Sequence, residues 1–367
     1  MRVLLINPWE SKELPPPSIG YLQSALKWYG IDVVVKDLSE AMADNEQYDI
    51  TGVSFHSFSV KYARQIRDKI KGHLICGGHH PSALPEQMLL IGYDQVVIGE
   101  GENAIIDIIN GNRNNIVKDV EHKYFPTIND LPFPDYTGFK YNSPHGTIIV
   151  SSRGCPFDCC FCGSTNFWHH KWFMRSANNV IKEIEQRKKE GFNSCLFHDD
   201  NFLVNKERVK EICSHLDKSF QWECQARAES LTDNLCKILK ESGCRKIHLG
   251  IESLSQEALN RMNKKTTVEK MLKGVECANN AGIATMSLFI VGLPGDSFKD
   301  IEETHRNRIK SRITQYGPNI CWILPKTAIY EKAKEYGFND NVYLESGAPF
   351  YTYEQSFETL TTWSKML

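Results

Sequence analysis

The sequence predicts an α/β protein: a doubly wound parallel sheet followed by a (β/α)6 partial barrel. Two series of short apolar runs alternating with helical patterns carry that expectation, one before residue 110 and one after residue 146. A proline-rich stretch without sustained period lies between them. A length of 367 residues agrees with roughly two domains.

The first series opens with Val3–Ile6, a wholly apolar run of the kind that parallel sheets bury on both faces. Ile19, Leu22, Leu26 and Tyr29 then recur at helical spacing, and Gly30 stops that helix. Strands are expected at Ile31–Val35 and Asp49–Phe55, with a helix near Val60–Ile70 after them. Strand His73–Cys76 runs into Gly77-Gly78, and strand Gln95–Ile98 into Gly99-Glu100-Gly101-Glu102. The sheet is expected to end near Ile109, which gives a first domain over 1–110. Residues 111–146 hold Pro126, Pro132, Pro134 and Pro144 and are expected to form an ordered linker.

In the second series, strands are expected at Thr147–Ser151, Ser194–His198, Gln221–Gln225, Arg245–Leu249, Ala284–Val291 and Asn319–Leu324. Helical patterns such as Ala177–Glu190, Lys206–Leu216 and Thr232–Glu241 separate them. This places a barrel domain over 147–325 and a short closing segment over 326–367. The chemistry of such a barrel belongs at the C-terminal ends of its strands.

Composition excludes several function classes. With 41% hydrophobic and 24% charged residues the chain fits a globular protein rather than a disordered or fibrous one. Forty-three basic against 45 acidic residues leave a net charge of -2, so nothing electrostatic points to nucleic acid or a membrane surface. No apolar run approaches the ~20 residues of a spanning helix, and the N-terminal run is too short for a signal peptide. The cytoplasm is the expected compartment. There the 12 cysteines are expected as metal ligands or core thiols rather than disulfides.

The stretch Ser152 to Gly163 follows a barrel strand and places Cys155, Cys159 and Cys162 at C-x3-C-x2-C spacing. Three thiolates on one loop suit three irons of a [4Fe-4S] cluster and leave the fourth iron open. Gly154 and Gly163 let the backbone wrap closely. Three other readings stay open at this point: a structural zinc site completed by His169 and His170, a redox C-x-x-C of Cys159 and Cys162, and inert packing. Cys160 is expected to be a packed thiol outside the set.

With Phe161 as its aromatic residue, the run C-x3-C-x-aromatic-C resembles the signature of radical S-adenosylmethionine (SAM) enzymes. Ser152-Arg153-Gly154-Cys155-Pro156-Phe157 resembles the subgroup that carries an N-terminal cobalamin-binding domain. Further matches follow in order. Phe197-His198-Asp199-Asp200-Asn201-Phe202 resembles an acidic D-x-F position, and Gln225-Ala226-Arg227 ends the third strand. Leu249-Gly250-Ile251-Glu252-Ser253 resembles G-I-E-S, and Phe289 to Asp296 resembles F-x-x-G-x-P-G-[DE]. In the first domain the matches are Asn7-Pro8-Trp9, Pro16 to Leu22, Gly52-Val53-Ser54, Gly77 to Pro81 and Gly99 to Glu102.

The resemblance implies a Rossmann-like cobalamin-binding domain and a radical SAM partial TIM barrel. It implies that SAM chelates the open iron through its amino and carboxylate groups. An electron, from a donor such as flavodoxin or ferredoxin, then cleaves SAM to a 5'-deoxyadenosyl radical. It assigns Glu252 and Asp199 to the ribose or ammonium of SAM, with Ser253 beside them. Gly292, Pro294 and Gly295 become a backbone rim near adenine, and Arg227 a partner for the SAM carboxylate or a substrate anion. On the cobalamin side, Gly77 and Gly78 approach the nucleotide phosphate, and Ser54 and Ser57 the nucleotide tail. His79, Glu100 and Gly101 belong to the same strand ends. No histidine here fits D-x-H-x-x-G, so Asn7, Trp9 and His56 are the candidates for the lower face of cobalt.

The implied reaction is cobalamin-dependent methyl transfer to an unactivated carbon or a phosphinate of a small molecule. The alternatives are cyclisation, rearrangement or sulfur chemistry with a non-methylating or empty cobalamin fold, and a non-catalytic cobalamin carrier or sensor. Sulfur chemistry would need clustered cysteines, whereas Cys195, Cys213, Cys224, Cys236, Cys244, Cys277 and Cys321 are scattered along the chain. After the sixth strand, Leu324 to Tyr330 departs from the family's Y-P-G-T-P-L-Y, so the substrate stays unassigned.

Overall fold

Strands of three to nine residues build two separate parallel sheets in a computed structural model, which describes residues 1–8, 14–118, 122–139, 141 and 143–367. Contacts within the chain divide it into two units, 1–144 with 339–349 and 145–338 with 350–367.

The first unit holds β1 (Arg2–Asn7), β2 (Asp32–Asp37), β3 (Ile50–Ser54), β4 (His73–Gly77), β5 (Gln95–Ile98) and β6 (Ile116–Lys118). Their order is β2-β1-β3-β4-β5-β6, all parallel. Val3, Leu4, Leu5 and Ile6 have no exposed surface, as a central strand covered by helices on both faces requires. The sheet grows one way from β1 to β2 and the other way from β1 through β3. A ligand crevice therefore opens at the C-terminal ends of β1 and β3.

The sheet does not end near Ile109. β6 lies inside the expected linker, and the residues after it belong to the same core. Tyr124 N–H and Phe125 N–H both donate to Asn103 Oδ1 at 2.9 Å. Phe125, Leu131 and Tyr136 are buried. A Cβ on Gly20 would meet the Tyr136 ring at 2.5 Å, so the helix Pro17–Trp28 and this stretch are in close contact. Prolines hide the period of such a stretch, but its aromatic residues still find the core.

The second unit holds β7 (Thr147–Ile149), β8 (Ser152–Gly154), β9 (Trp172–Met174), β10 (Ser194–Phe197), β11 (Gln221–Ala226), β12 (Cys244–Glu252), β13 (Ala284–Val291) and β14 (Tyr316–Ile320). The main sheet is parallel and sequential, β7-β10-β11-β12-β13-β14, while β8 and β9 form a separate antiparallel hairpin. That hairpin has three residues per strand, too few for alternation to register in the sequence. The sixth strand also lies earlier than expected. It includes Pro318, which is tolerated because β14 is an edge strand and one of its sides needs no ladder donor.

Side chains fix where the intervening helices begin. Ser176, Asn205, Thr232, Thr267 and Ser297 each accept a backbone N–H in the first turn of the helix that follows, and Ser297 with Asp300 forms a reciprocal capping box. The expected single segment 326–367 is divided. Residues 339–349 belong to the first unit, and 350–367 return to the second, where Phe350 stacks on Trp322 with ring centroids 3.9 Å apart. Among the described residues, no helix is long and apolar enough to cross a membrane.

Candidate functional site

The cysteine loop starts where β8 ends. Gly154 has φ +80°, and a Cβ there would lie 2.3 Å from the Lys171 carbonyl oxygen, so only glycine passes the hairpin at this point. Cys155, Cys159, Cys160 and Cys162 are all half-buried, whereas the other eight cysteines are buried. Burial pushes the Cys155 thiol up to about 11, so binding iron there must displace a proton.

A segment that the sequence did not single out clamps this loop. Cys160 N–H donates to the Met262 carbonyl at 3.0 Å, and Asn263 Nδ2 to the Asp158 carbonyl at 3.1 Å. Lys265 pairs with the Asp158 carboxylate at 2.8 Å. Asn263 and Lys265 both have left-handed backbones, φ +54° and +53°. On its other side the Cys160 carbonyl accepts Ala328 N–H at 3.1 Å, so Cys160 anchors the loop through its backbone.

The same segment joins the loop to two predicted residues. Arg227, after β11, lies with its guanidinium 4.0 Å over the Phe157 ring and Nη1 3.6 Å from Cys159 Sγ. Its Nε donates to Glu229 Oε1 at 2.6 Å and its Nη2 to the Lys264 carbonyl. Arg227 thus places its charge beside Cys159, with Glu229 as its carboxylate partner within the chain. Glu252 ends β12 with φ +63°, after a register shift in its pairing with β13 that turns its side chain. It pairs with the buried Lys264 at 2.9 Å. A Cβ on Gly250 would meet Glu252 Oε1 at 2.6 Å, so the Glu252–Lys264 pair lies close over this glycine. Cys159, Arg227, Lys264 and Glu252 thus form one connected group. Only Lys264 among them carried no signal, because a lysine among polar residues looks like a solvated surface.

Three other assignments change. Asp199 is buried, and its carboxylate accepts Ser151 N–H at 2.7 Å, Ser151 Oγ at 2.6 Å and Ser152 Oγ at 2.5 Å, with Arg208 3.9 Å away. It pins the start of the cysteine loop and has no face left for a ligand. The exposed neighbour Asp200 instead accepts Ser164 Oγ at 2.7 Å, beside the loop. Ser253 is buried against Thr304 Oγ1 at 2.9 Å and accepts Ser255 N–H. Gly292, Pro294 and Gly295 form a turn closed by Asp296, which accepts Gly292 N–H at 3.0 Å and Leu293 N–H at 2.9 Å. Gly292 has φ +85° and would otherwise strike Leu360, so protein packing accounts for that glycine without adenine. Gly295 N–H donates to Glu354, and Pro294 and Phe161 stay partly exposed.

Five of the remaining thiols lie near one another. Cys195, Cys213, Cys224 and Cys236 each lie within electrostatic reach of Cys244, and Cys224 hydrogen-bonds it. All are buried. Among the described residues no group of three or more His, Cys, Asp or Glu closes on a single ion. A four-iron cluster needs no such convergence, because each thiolate takes its own iron. His169 and His170, the zinc candidates, are exposed on left-handed backbones. One further polar cluster went unnoticed in the sequence. Glu223 on β11 accepts Arg245 Nε at 2.7 Å and meets His248 Nε2 at 2.9 Å and His145 Nδ1 at 3.1 Å. Burial would raise its pKa, but these three partners bring it down to about 2.

In the first unit, Asn7 and Ser54 end β1 and β3, the strands that flank the crevice. Asn7 is buried, and Ser54 Oγ lies 3.3 Å from Ser18 Oγ. Trp9 is outside the described residues. His56 is exposed in the loop after β3 and His79 at the start of the short helix His79–Ala83, and Glu100 is partly exposed after β5. Gly78 has φ +97°, and a Cβ would lie 2.6 Å from the Phe55 carbonyl, so its glycine is required by the loop beside it. A Cβ on Gly77 would meet Val97 at 3.4 Å, and one on Gly101 would meet Leu22 at 3.0 Å. Ser57 is buried with its Oγ 3.1 Å from His80 Nδ1, which removes it from the expected nucleotide contacts.

Comparison with known proteins agrees with both units. The Radical SAM superfamily model matches residues 149–307, and the B12 binding domain model matches residues 12–109. An uncharacterized methyltransferase of Pyrococcus horikoshii is 25% identical, covering 91% of this chain and 83% of its own. Bacteriochlorophyllide d C-8(2)-methyltransferase of Chlorobaculum tepidum is 26% identical over 84% of this chain and 73% of its own. Among solved structures, the radical S-adenosylmethionine methyltransferase TsrM from Kitasatospora setae shares the fold, with a TM-score of 0.76 over 91% of this chain and 76% of that one, at 18% identity.

Proposed function

We propose, for a chain that belongs to the radical SAM enzymes with a B12-binding domain, the transfer of a methyl group to an unactivated carbon or a phosphinate of a small molecule. The observation that carries this reading is the contrast among the cysteines. The four half-buried thiols, three of them at C-x3-C-x2-C spacing, share one clamped loop at the end of a strand, beside Arg227 and the Glu252–Lys264 pair. When bound, the cluster, SAM and cobalamin supply an organic radical and a methyl group. The chain supplies the rest. Cys155, Cys159 and Cys162 hold three irons and leave one for SAM. Arg227 sets a positive charge beside the Cys159 sulfur. Glu252 is the carboxylate left to meet the ribose or ammonium of SAM, and Lys264 holds it in place. Asn7, Ser54 and His56 stand where a cobalamin would enter the first unit. The reducing electron comes from a flavodoxin- or ferredoxin-type protein.

The test begins with protein purified without oxygen from cells supplied with cobalamin. About one cobalt per chain is expected, and the reduced protein with SAM is expected to yield 5'-deoxyadenosine and S-adenosylhomocysteine. Iron without cobalt would overturn methyl transfer in favour of hydrogen-abstraction chemistry driven by SAM alone. Changing Cys155, Cys159 or Cys162 to Ala is expected to abolish the iron–sulfur absorbance, and Cys160→Ala to preserve it. An essential Cys160 would overturn the ligand assignment.

A further inference from the structure

Residues 339–349 are joined in sequence to the second unit on both sides but fold with the first. The helix Asn341–Ser346 packs against the turn Val60–Tyr62, in the loop after β3. Tyr343 is fully buried, its ring edge-on to His80 with centroids 5.1 Å apart. Gly347 has φ +81°, and a Cβ there would lie 2.9 Å from the Phe58 carbonyl oxygen.

One hydrogen-bond chain runs through this contact. His80 has no exposed surface. Its Nδ1 lies 3.1 Å from Ser57 Oγ and its Nε2 2.9 Å from Gln87 Oε1, while Gln87 Nε2 donates to the Asp340 carbonyl at 2.8 Å. The directions follow from the last link. A carbonyl only accepts, so the Gln87 amide must point its nitrogen at Asp340 and its oxygen at His80. His80 therefore carries its proton on Nε2, and Nδ1 accepts the Ser57 hydroxyl proton. Burial, which pushes His80 down to about 4, keeps the ring neutral as this pattern requires. His80 N–H also donates to the Phe55 carbonyl at 3.3 Å. The loops after β3 and β4 are thus fastened to each other and to residues 339–349.

We propose that residues 339–349 are a strap that positions the loops bearing Ser54, His56, Gly78 and His79, with His80 and Gln87 acting as positioning residues that do not touch the ligand. The inference rests on the reading that these loops receive cobalamin. The strap is held by its Asp340 carbonyl, which accepts Gln87 Nε2, and by the buried Tyr343 ring against His80.

The test uses the full chain carrying its iron–sulfur cluster, titrated with hydroxocobalamin and followed by absorbance. Gln87→Met removes both links of the chain at nearly constant length, and Gly347→Ala puts a methyl group on the Phe58 carbonyl. Each is expected to raise the Kd about tenfold, with iron content and SAM binding unchanged. A wild-type protein that binds cobalamin, with both variants within about twofold of it, overturns the strap and leaves the cofactor reading standing. A wild-type protein that does not bind cobalamin overturns both. Amide hydrogen exchange of the wild-type chain gives a second measurement that needs no variant. Cobalamin is expected to slow exchange in 341–347 together with 55–62. Protection confined to 55–62 overturns the proposal.

Discussion

Asp199 and Glu252 both stand at the C-terminal ends of strands of the second sheet, and burial separates their roles. Asp199 accepts three hydrogen bonds from Ser151 and Ser152 in a closed site, whereas Glu252 keeps an exposed edge and one cation partner. The two carboxylates look alike in the sequence. What distinguishes them is the hydroxyl pair Ser151-Ser152 folding back onto β10, a contact 47 to 48 residues away that no local pattern encodes. Asp199→Asn is therefore expected to lower stability by about 2 kcal/mol, because a donor replaces an acceptor facing two hydroxyls, and thermal unfolding measures it. Glu252→Gln keeps an oxygen near the buried Lys264 but removes its charge partner, and is expected to weaken SAM binding about tenfold, read by equilibrium binding. Arg227→Gln removes a positive charge 3.6 Å from a cluster cysteine. Reduction adds an electron, so the cluster potential is expected to become more negative in a redox titration followed by electron paramagnetic resonance.

At the scale of elements, the sequence was legible wherever a strand is central and apolar. β1, β3 and β13 fall within a residue or two of their expected bounds. It was illegible for the three-residue strands β6, β8 and β9, and it put β14 three to four residues too late. The glycines were legible as glycines, but several serve protein packing rather than ligand approach. Gly154 tests this. Gly154→Ala must place a methyl group against the Lys171 carbonyl at positive φ. A loss of about 2 kcal/mol or more and a lower iron content per chain are expected. Ser297→Ala, which removes the capping box at the helix Phe298–Lys310, is expected to cost about 1 kcal/mol with iron content preserved. Comparing the two separates general destabilisation from damage to the cysteine loop.

Over the whole molecule, buried ionisable groups set opposing pH dependences. His80 is held at about 4, below its ordinary 6.5. The unfolded chain takes up that proton first, so the stability His80 lends is lost as pH falls from 6.5 towards 4. Glu223, held at about 2 against 4.5, lends stability that is lost as pH falls from 4.5 towards 2. Asp296 runs the other way. Burial raises it to about 6 from 3.8, so its contribution is greatest in acid and declines as pH rises through 6. Between about pH 4 and 6 Asp296 and His80 oppose each other. Asp296→Asn is expected to steepen the rise of the thermal midpoint with pH in that window, and His80→Gln to flatten it.

The excursion of residues 339–349 also bears on how the protein is made. A ribosome releases the first five strands of the first sheet early, yet the tyrosine that fills the space beside His80 emerges more than 240 residues after β5. Until then the nascent first unit has an unfilled core position, and the intervening barrel segments fold while it waits. Its final tightening is thus timed by the completion of the rest of the polypeptide, so a translation product stalled before residue 339 carries a first unit that no amount of waiting will finish.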